Sequence, residues 1–406
     1  MPPAMKSDLE SAFWAAVDAA HPEKIMATNL PPRPDGLAYV FAVGKAAVPM
    51  AQQMEKLWGG DLSGMVIAPH GAEGSLASLE LRTAAHPFPD AAGAESASAL
   101  LAALQAVPAG RDVLFLLSGG ASSLLLATKD GPAPVLLKQA TKALLNGGAD
   151  IHALNTVRRV LSPLLGGGAA QACPGRIQTL AISDVVGDDP IAIGSGPTVD
   201  NPTGGAEALG LLDQFGGDFP EITRWIKQRP DVSPVSGTFR IIASGPQSLQ
   251  AAEVALRERG YDATITADSQ IGLADDNALM LADRVRRRPA GRAQVWLMGG
   301  EVDVRVIGQG RGGRNVQFAA RLAQALDGVP EWRFLAADTD GQDGNAPNAG
   351  AFCDGTSWSR ARALGLDPDA FLSNNDAHSL FEALGDAFIT GPTGTNVNDF
   401  RALALT

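Results

Sequence analysis

Short apolar runs alternate with helix-like stretches along most of the chain. Residues 38–43 (AYVFAV), 112–117 (DVLFLL) and 177–182 (IQTLAI) each end in a polar loop, and helical patterns separate them. Ahead of them, residues 7–20 have helical spacing with one apolar face. Apolar strands that alternate with helices predict a parallel sheet covered by helices, with a site at the strand ends.

A second α/β pattern follows the Pro-rich stretch 229–238 (RPDVSPVSGT), which we interpret as a linker. We expect strands at 239–244, 263–266, 293–298, 302–307 and 332–337 and helices at 247–259, 271–288 and 313–326. The run VDVRVI (302–307) carries Asp303 and Arg305, so we expect this strand to be half exposed and antiparallel. We interpret the charged run 284–292 as a solvated helix end. The pattern predicts two α/β domains, residues 1–235 and 236–406.

Composition narrows the class of protein. A chain of 406 residues suits two domains, and 45% hydrophobic with 19% charged residues is typical of a globular enzyme. The net charge of -12 disfavours nucleic acid as a partner, and two cysteines favour neither a disulfide framework nor a zinc cluster. No run approaches the roughly 20 apolar residues of a membrane span, and no signal-peptide pattern opens the chain. We therefore expect a cytoplasmic protein.

Two strand-end loops in the first half suit an anionic ligand. Lys45 follows the first apolar run at the start of a predicted helix, where a cation and free N–H groups favour phosphate or carboxylate. The loop SGGASS lets a ligand approach the backbone closely, and its candidate residues are Ser118, Gly119, Gly120 and Ser122. An ordinary turn explains either motif as well.

Acidic residues gather in further loops. Residues 181–198 place three acids before a small-residue turn: Asp184, Asp188 and Asp189, then Ser195 and Gly196. The second half adds four acids after strands or glycines: Glu301, Asp338, Asp340 and Asp343. Crowded carboxylates are costly unless cations share them, so Mg²⁺ binding or general-base catalysis would explain them. Asp turns and helix caps are the alternative, particularly for Asp188.

A glycine loop precedes the predicted helix at 313–326. It reads Gly308-x-Gly310-x-x-Gly313, which matches the dinucleotide-binding pattern. Arg311 and Arg314 lie in the same turn, however, and guanidinium groups match phosphate oxygens. We therefore interpret the loop as a phosphate clamp. As a loop cation, Arg314 is expected to contribute little to stability.

Eight motifs together resemble class II glycerate 2-kinases, the family that carries the MOFRL domain. The motifs, which run from about residue 40 to residue 400, are FAVGKAA, AAHPFPD, LSGGASSLL, LNTVRRVLS, ISDVVGDDPIAIGSGPTVDNPT, GGEVDVRVIGQGRGGRNVQFAARLA, AADTDGQDGNAPNAGA and FITGPTGTNVNDF. The resemblance implies an N-terminal Rossmann-like parallel-sheet domain and a C-terminal MOFRL-type mixed-sheet domain, with the active site in the cleft between them. It implies ATP- and Mg²⁺-dependent phosphorylation of D-glycerate at the 2-hydroxyl.

The resemblance also carries site residues over to this chain. They are Lys45, Arg314, Asn396 and the acids Asp189, Glu301 and Asp340. In a kinase, the lysine and arginine would neutralise phosphoryl charge, Glu301 and Asp340 would hold Mg²⁺, and Asp189 would accept the hydroxyl proton. Sequence alone does not separate the base from the metal ligands.

The substrate carboxylate needs a cation or an N–H nest, for which Arg158 or the Ser118 loop is available. One departure from the family is Leu165, which lies where a basic residue is usual, so no phosphate contact is expected from that turn. D-Glycerate and ATP are the expected small-molecule partners. The sequence does not determine the oligomeric state, and a homodimer is one possibility.

Hydroxypyruvate reduction with NAD(P)H is the alternative, because members of this family carry that label and the glycine pattern fits it. Hydride transfer to an α-keto acid usually needs a general acid such as histidine. His86, the one histidine within a matching motif, lies in a His-Pro turn that is more often structural. A non-catalytic sugar-acid binder is the third hypothesis, although an anion binder gains nothing from carboxylates.

Overall fold

The computed structural model describes residues 3–229, 234–288 and 293–405. The middle of the predicted linker and the end of the charged run at 284–292 lie outside the described residues. The chain divides into two compact units, Pro22–Ile242 and a second unit that joins Met1–His21 to Ala243–Thr406. The first helix, α1 (Pro3–Asp18), thus belongs to the second unit.

The first unit is built on a six-stranded sheet in the order β3-β2-β1-β4-β5-β6. Its strands are β1 (Ala38–Val43), β2 (Leu62–Pro69), β3 (Glu80–Ala84), β4 (Asp112–Leu117), β5 (Arg176–Ile182) and β6 (Gly237–Ala243). Strands β1 to β5 pair in parallel, with Val43 in register with Ile67 and Leu117. This confirms the predicted Rossmann-like parallel sheet, whose strand order reverses between β1 and β4.

Nine helices accompany this sheet within the described residues. They are α2 (Pro22–Asn29), α3 (Ala47–Trp58), α4 (Ala91–Gln105), α5 (Ala121–Leu126), α6 (Pro134–Asn146), α7 (Ile151–Leu161), α8 (Gly168–Ala172), α9 (Gly205–Leu211) and α10 (Pro220–Gln228), with a 3₁₀ turn at Ile193–Ser195 and a π-helical turn at Leu212–Gly216. Because helices cover both faces, β4 is apolar and buried from Val113 to Leu117, and Phe115 is fully buried.

The second unit is built on a mixed sheet in the order β11-β10-β9-β12-β8-β7. Its strands are β7 (Asp262–Gln270), β8 (Gln294–Gly300), β9 (Trp332–Asp338), β10 (Gly350–Asp354), β11 (Ala387–Phe388) and β12 (Asp399–Leu405). Strand β7 is parallel to β8, whereas the remaining pairs are antiparallel, which confirms the predicted mixed sheet.

Seven described helices belong to this unit. Besides α1 they are α11 (Gly245–Glu258), α12 (Ala274–Arg287), α13 (Arg314–Ala325), α14 (Ser357–Ala363), α15 (Pro368–Ser373) and α16 (Ala377–Leu384). The ring of Phe13 in α1 meets Phe388 and Phe400 edge to face, with centroids 5.0 and 5.7 Å apart. Aromatic packing therefore joins residues 3–21 to this unit, although the sequence pattern groups them with residues 22–235.

Two expected elements differ in the structure. The strand expected at 302–307 is wrong: the segment is irregular, and Asp303 makes only an isolated bridge to Leu273. Strand β8 already has β12 and β7 as neighbours, so this segment runs past the end of the sheet with Val306 and Ile307 71% and 74% exposed. The apolar run at 239–244, expected to open the second domain, instead supplies β6 of the first sheet.

No helix in the described part of the chain is long and apolar enough to cross a membrane.

Candidate functional site

In the first unit, Lys45 and the loop at 118–123 meet at the carboxyl ends of β1 and β4. The Lys45 N–H donates to the carbonyl of Gly119 (2.8 Å), and the Ala46 N–H donates to Oγ of Ser118 (3.0 Å). Ser118 is fully buried, so its hydroxyl joins the two loops. These loops lie where the strand order reverses, which is where open α/β sheets bind ligands.

The two glycines of the loop at 118–123 are closely surrounded. A methyl group at Gly119 would lie 1.8 Å from Oδ2 of Asp184. A methyl group at Gly120 would lie 3.0 Å from the His86 ring and 3.4 Å from Cγ of Lys45. Asp184 and His86 therefore lie near Lys45 in space, although the family resemblance assigned neither of them a role. Their motifs, ISDVV and AAHPF, were the available signal.

The loop after β5 contains two non-glycine residues with left-handed backbone, Asp188 (φ 53°) and Ser195 (φ 59°). The hydroxyl groups of Ser195 and Ser122 are 2.8 Å apart, which links this loop to the one after β4. Gly196 is buried beside Ser195. Such strained residues often occur at binding and catalytic sites.

Asp189, the residue assigned as the base, is exposed in this loop. Its Oδ1 accepts the N–H of Ile191 (3.1 Å), as in an ordinary Asp turn. Its neighbour Asp188 instead has a buried Oδ1 without a hydrogen-bond partner. Exposure suits Asp189 to contact a ligand but does not distinguish it from a turn residue.

Two arginines on α7 carry incompletely satisfied guanidinium groups. Nε of Arg158 and Nε of Arg159 are buried without a hydrogen-bond partner, although Arg159 also donates to Thr156 (2.8 Å). Burial lowers the pKa of both arginines, and for Arg159 the charges of Asp189 and Glu207 act in the opposite direction. Each of these guanidinium groups therefore has a donor available to a further partner.

In the second unit, Arg314 lies at the centre of a carboxylate cluster. Its Nε donates to Asp399 (2.8 Å), and its two terminal nitrogens donate to Glu301 (2.8 Å) and Asp338 (2.9 Å). Asp399 pairs in register with Gly300 of β8 and with Asp338 of β9, so the three acids share one edge of the sheet. Helix α13 begins at Arg314, facing that edge.

The cluster fixes the charge of Arg314. Burial alone would lower the pKa of Arg314, but Asp399, Asp338 and Glu301 raise it above its usual value. Burial would likewise raise the pKa of Asp399, yet Arg314 and Arg401 lower it. Arg401 is fully buried and lies 2.5 Å from Asp399. Arg314 is therefore permanently charged and held from three sides, unlike the weakly bound loop cation that we expected.

Asp340 and Asn396 lie on adjoining loops of the same unit. The Thr393 N–H donates to the carbonyl of Asp340 (3.2 Å), and the Asp340 N–H donates to Asp338 (3.1 Å). Asn396 accepts the N–H of Asn398 (3.1 Å) and is buried. The described residues contain no group of three Asp, Glu, His or Cys side chains arranged around a metal ion.

The glycine loop does not offer its backbone to a phosphate. The N–H groups of residues 307, 308, 309, 311 and 312 donate to the side chains of Asn374, Asn375, Asp376 and Asn345 at 2.8–3.0 Å. The first N–H groups of α13, those of Asn315 and Val316, donate to buried Asp343. These N–H groups are therefore not available to a phosphate. The clamp hypothesis rests on the side chains of Arg311 and Arg314 and stays a prediction.

The glycine pattern has a steric cause instead. A methyl group at Gly308 would lie 2.1 Å from the Asn374 carbonyl, and one at Gly310 would lie 2.3 Å from Cβ of Asp376. These glycines admit a neighbouring segment of the same chain rather than a pyrophosphate.

Two family models match the chain, a domain of unknown function (DUF4147) over residues 8–227 and the MOFRL family over residues 294–399. The chain is 33% identical to a D-glycerate 2-kinase of Thermotoga maritima, over 95% of this chain and 94% of that protein. It is 38% identical to a putative hydroxypyruvate reductase of Agrobacterium vitis, over 98% of this chain and 94% of that protein. The crystal structure of glycerate kinase from Thermotoga maritima superposes over the whole of both chains, with a TM-score of 0.90 and 32% identity.

Proposed function

We propose that this chain, which belongs to the family of glycerate kinases that carry DUF4147 and MOFRL domains, is a D-glycerate 2-kinase. It transfers the terminal phosphoryl group of ATP to the 2-hydroxyl of D-glycerate and releases 2-phospho-D-glycerate and ADP. The observation that carries the proposal is the permanently charged Arg314, fixed among three carboxylates at one sheet edge. Phosphoryl transfer depends mainly on such prearranged charge.

The phosphoryl oxygens are neutralised by Lys45 and Arg314. Arg314 needs no reorganisation during the reaction, because its guanidinium group is already held from three sides. Each terminal nitrogen of a guanidinium group carries two hydrogens, so each can still reach a phosphate while one hydrogen meets a carboxylate. Lys45 contributes a more mobile point charge near the end of β1.

D-Glycerate is bound by the loops of the first unit and by Arg158. The small residues Ser118, Gly119, Gly120 and Ser122, with Ser195 and Gly196, shape this site. Arg158 meets the glycerate carboxylate, which is supported by its buried and unpartnered Nε. Asn396 is a further binding residue, by family resemblance only.

Asp189 accepts the proton of the 2-hydroxyl. Its exposure supports this role, because the base must reach the substrate. Asp184 competes for the role, since its carboxylate lies against Gly119 beside Lys45.

Mg²⁺ would enter with the nucleotide. It usually binds one or two carboxylates plus substrate phosphates rather than an all-protein cage, so a three-acid cluster is not required. Glu301 and Asp340 fit this requirement: both supply hard oxygen atoms, and the Glu301 side chain is 45% exposed. The ion would supply charge neutralisation on the phosphates.

Phosphorus NMR of a reaction with D-glycerate, ATP and Mg²⁺ tests the proposal. We expect 2-phosphoglycerate. The appearance of 3-phosphoglycerate would contradict the proposed regiochemistry, and ATP left unchanged by pure, folded protein would contradict the activity.

The names of the Agrobacterium relatives favour hydroxypyruvate reduction as the second candidate. Against it, the amides of the glycine loop are occupied, and Asp343 places a carboxylate where a pyrophosphate would approach α13. Loss of NAD(P)H absorbance that requires both hydroxypyruvate and pure protein would revive this candidate.

A further inference from the structure

The segment Asn374–Asp376 lies against the glycine loop and hydrogen-bonds to several of its N–H groups. Asn375 accepts the N–H groups of Ile307 (2.8 Å) and Gly308 (2.9 Å) on its Oδ1 and donates its Nδ2 to the carbonyl of Arg305 (3.2 Å). One side chain thus provides the donor and acceptors that a neighbouring strand would provide. These bonds replace strand pairing in a segment that runs past the end of the sheet.

Asp376 bonds the glycine loop as well as a side chain of its own helix, α16. It precedes α16, the position where an aspartate normally accepts an N–H of the first helical turn, but it makes no such bond. Its Oδ1 accepts the N–H of Arg311 (2.9 Å) and the hydroxyl of Ser379 (2.7 Å). Asn374 completes the contact through its side chain to Gln309 and its carbonyl to Gly310.

The loop needs this support because of its composition. Four of the six residues from 308 to 313 are glycine, the residue that loses the most conformational freedom on folding. The loop ends at Arg314, whose guanidinium group must reach three carboxylates at 2.8–2.9 Å. A displacement of about 1 Å in a catalytic group costs about 10²-fold in rate.

We propose that Asn375 and Asp376 are positioning residues of the phosphoryl-transfer reaction: they hold the glycine loop in the one shape that delivers Arg314 to its place. This inference rests on the proposed kinase activity, but the shape of the loop can be measured independently of any activity.

Asn375→Gly is the sharpest test. Asn375 has left-handed backbone (φ 53°), which glycine adopts without strain, so the variant removes the side-chain hydrogen bonds and keeps the backbone. Glu331→Gly is the matched control, because Glu331 is an exposed residue of the same unit with φ 64°. Circular dichroism and thermal melting establish that both variants fold.

Two readouts are combined. In Asn375→Gly we expect amide hydrogen exchange at Ile307 and Gly308 to become at least about tenfold faster, because their acceptor is gone. We also expect kcat to fall at least about tenfold while KM for D-glycerate stays within about twofold, because a displaced Arg314 affects the transition state rather than glycerate binding. Glu331→Gly should match the parent in both.

The Asp376 variants provide the rescue test. Asp376→Asn keeps an oxygen for the Arg311 N–H and should stay within about threefold of the parental kcat. Asp376→Ala should fall at least about tenfold. If Asn375→Gly does not fold, the kcat values of these two Asp376 variants decide whether the segment positions Arg314.

The outcomes are distinguishable. Unchanged exchange in Asn375→Gly, or faster exchange with parental kcat, overturns the positioning role. Equal loss in Asp376→Asn and Asp376→Ala overturns it as well. A parent protein that makes no 2-phosphoglycerate overturns the proposed function instead, and the exchange data then still decide whether Asn375 holds the loop.

Discussion

Removing the Arg314 side chain should damage both the fold of the second unit and the reaction. Arg314→Ala leaves three carboxylates without their common partner. Asp399 keeps Arg401, and Glu301 is 45% exposed, so neither becomes an isolated buried charge. Asp338 is only 8% exposed, and its ion pair with Arg314 is lost. The free energy of unfolding of the variant should therefore be about 3–5 kcal/mol lower than that of the parent, which is the usual cost of breaking a buried ion pair.

A compensating change separates the stability effect from the catalytic one. Arg314→Ala combined with Asp338→Asn removes the buried charge that has lost its ion pair with Arg314 and should recover part of the lost stability, because an uncharged amide is cheaper to bury. Activity should not recover. Arg314→Lys keeps one charge, but a single ammonium group lacks the planar fork for three carboxylates, so it should be impaired in both respects.

Urea denaturation followed by circular dichroism measures stability, and steady-state kinetics measures the reaction. We expect kcat of Arg314→Ala to fall by about 10³-fold, within the range of arginines that stabilise transferred phosphoryl groups. Stability within about 1 kcal/mol of the parent would refute the buried-cluster reasoning. Turnover within about threefold of the parent would refute the catalytic role.

Three further predictions concern the acids. Chelation of divalent metal should abolish turnover, and added Mg²⁺ should restore it; full activity in excess EDTA would contradict the role of Glu301 and Asp340. If Asp189 is the base, Asp189→Asn should lower kcat by about 10²–10⁴-fold. A larger loss in Asp184→Asn, measured in the same assay, would transfer the role to Asp184. Burial, opposed by N–H bonds from Val316 and Asn315, raises the pKa of Asp343 from 3.8 to about 6. This group's contribution to stability is therefore complete below about pH 4 and lost as the pH rises through about 6. The parent should therefore lose at most about 3 kcal/mol of its free energy of unfolding as the pH rises over this range. Asp343→Asn should not show this pH-dependent loss, which urea denaturation at several pH values would measure.

The three central strands of the first sheet, β1, β4 and β5, could be predicted because they are largely buried and read as continuous apolar runs. Strands β2 and β3 were not predicted: β3 (ELRTA) is mainly polar and only its last residue is buried. Strand β6 was assigned to the wrong sheet. The run FRIIA contains no information about which sheet it joins, and the Pro-rich stretch before it resembles a domain boundary. Contact with β5, which is distant in sequence, decides the matter.

The carboxylate cluster could be predicted in part. Glu301 and Asp338 follow or end strands, so the rule that sites form at carboxyl ends identifies them. Asp399 begins a strand and escapes that rule. Because β12 runs antiparallel to both β8 and β9, its first residue lies at the edge where theirs end. A search for acids at the starts of antiparallel strands would have found Asp399.

The glycine loop shows why a short motif predicts geometry better than it predicts a ligand. The spacing Gly308-x-Gly310-x-x-Gly313 correctly indicates that something approaches the backbone closely before a helix. In this chain the approaching atoms belong to Asn374–Asp376 and to Asp343, between 28 and 68 residues further along the sequence. Because those side chains occupy the N–H groups, the loop keeps the shape of a nucleotide-binding turn without its binding capacity. Its contribution to chemistry must then come from the arginine side chains that it positions.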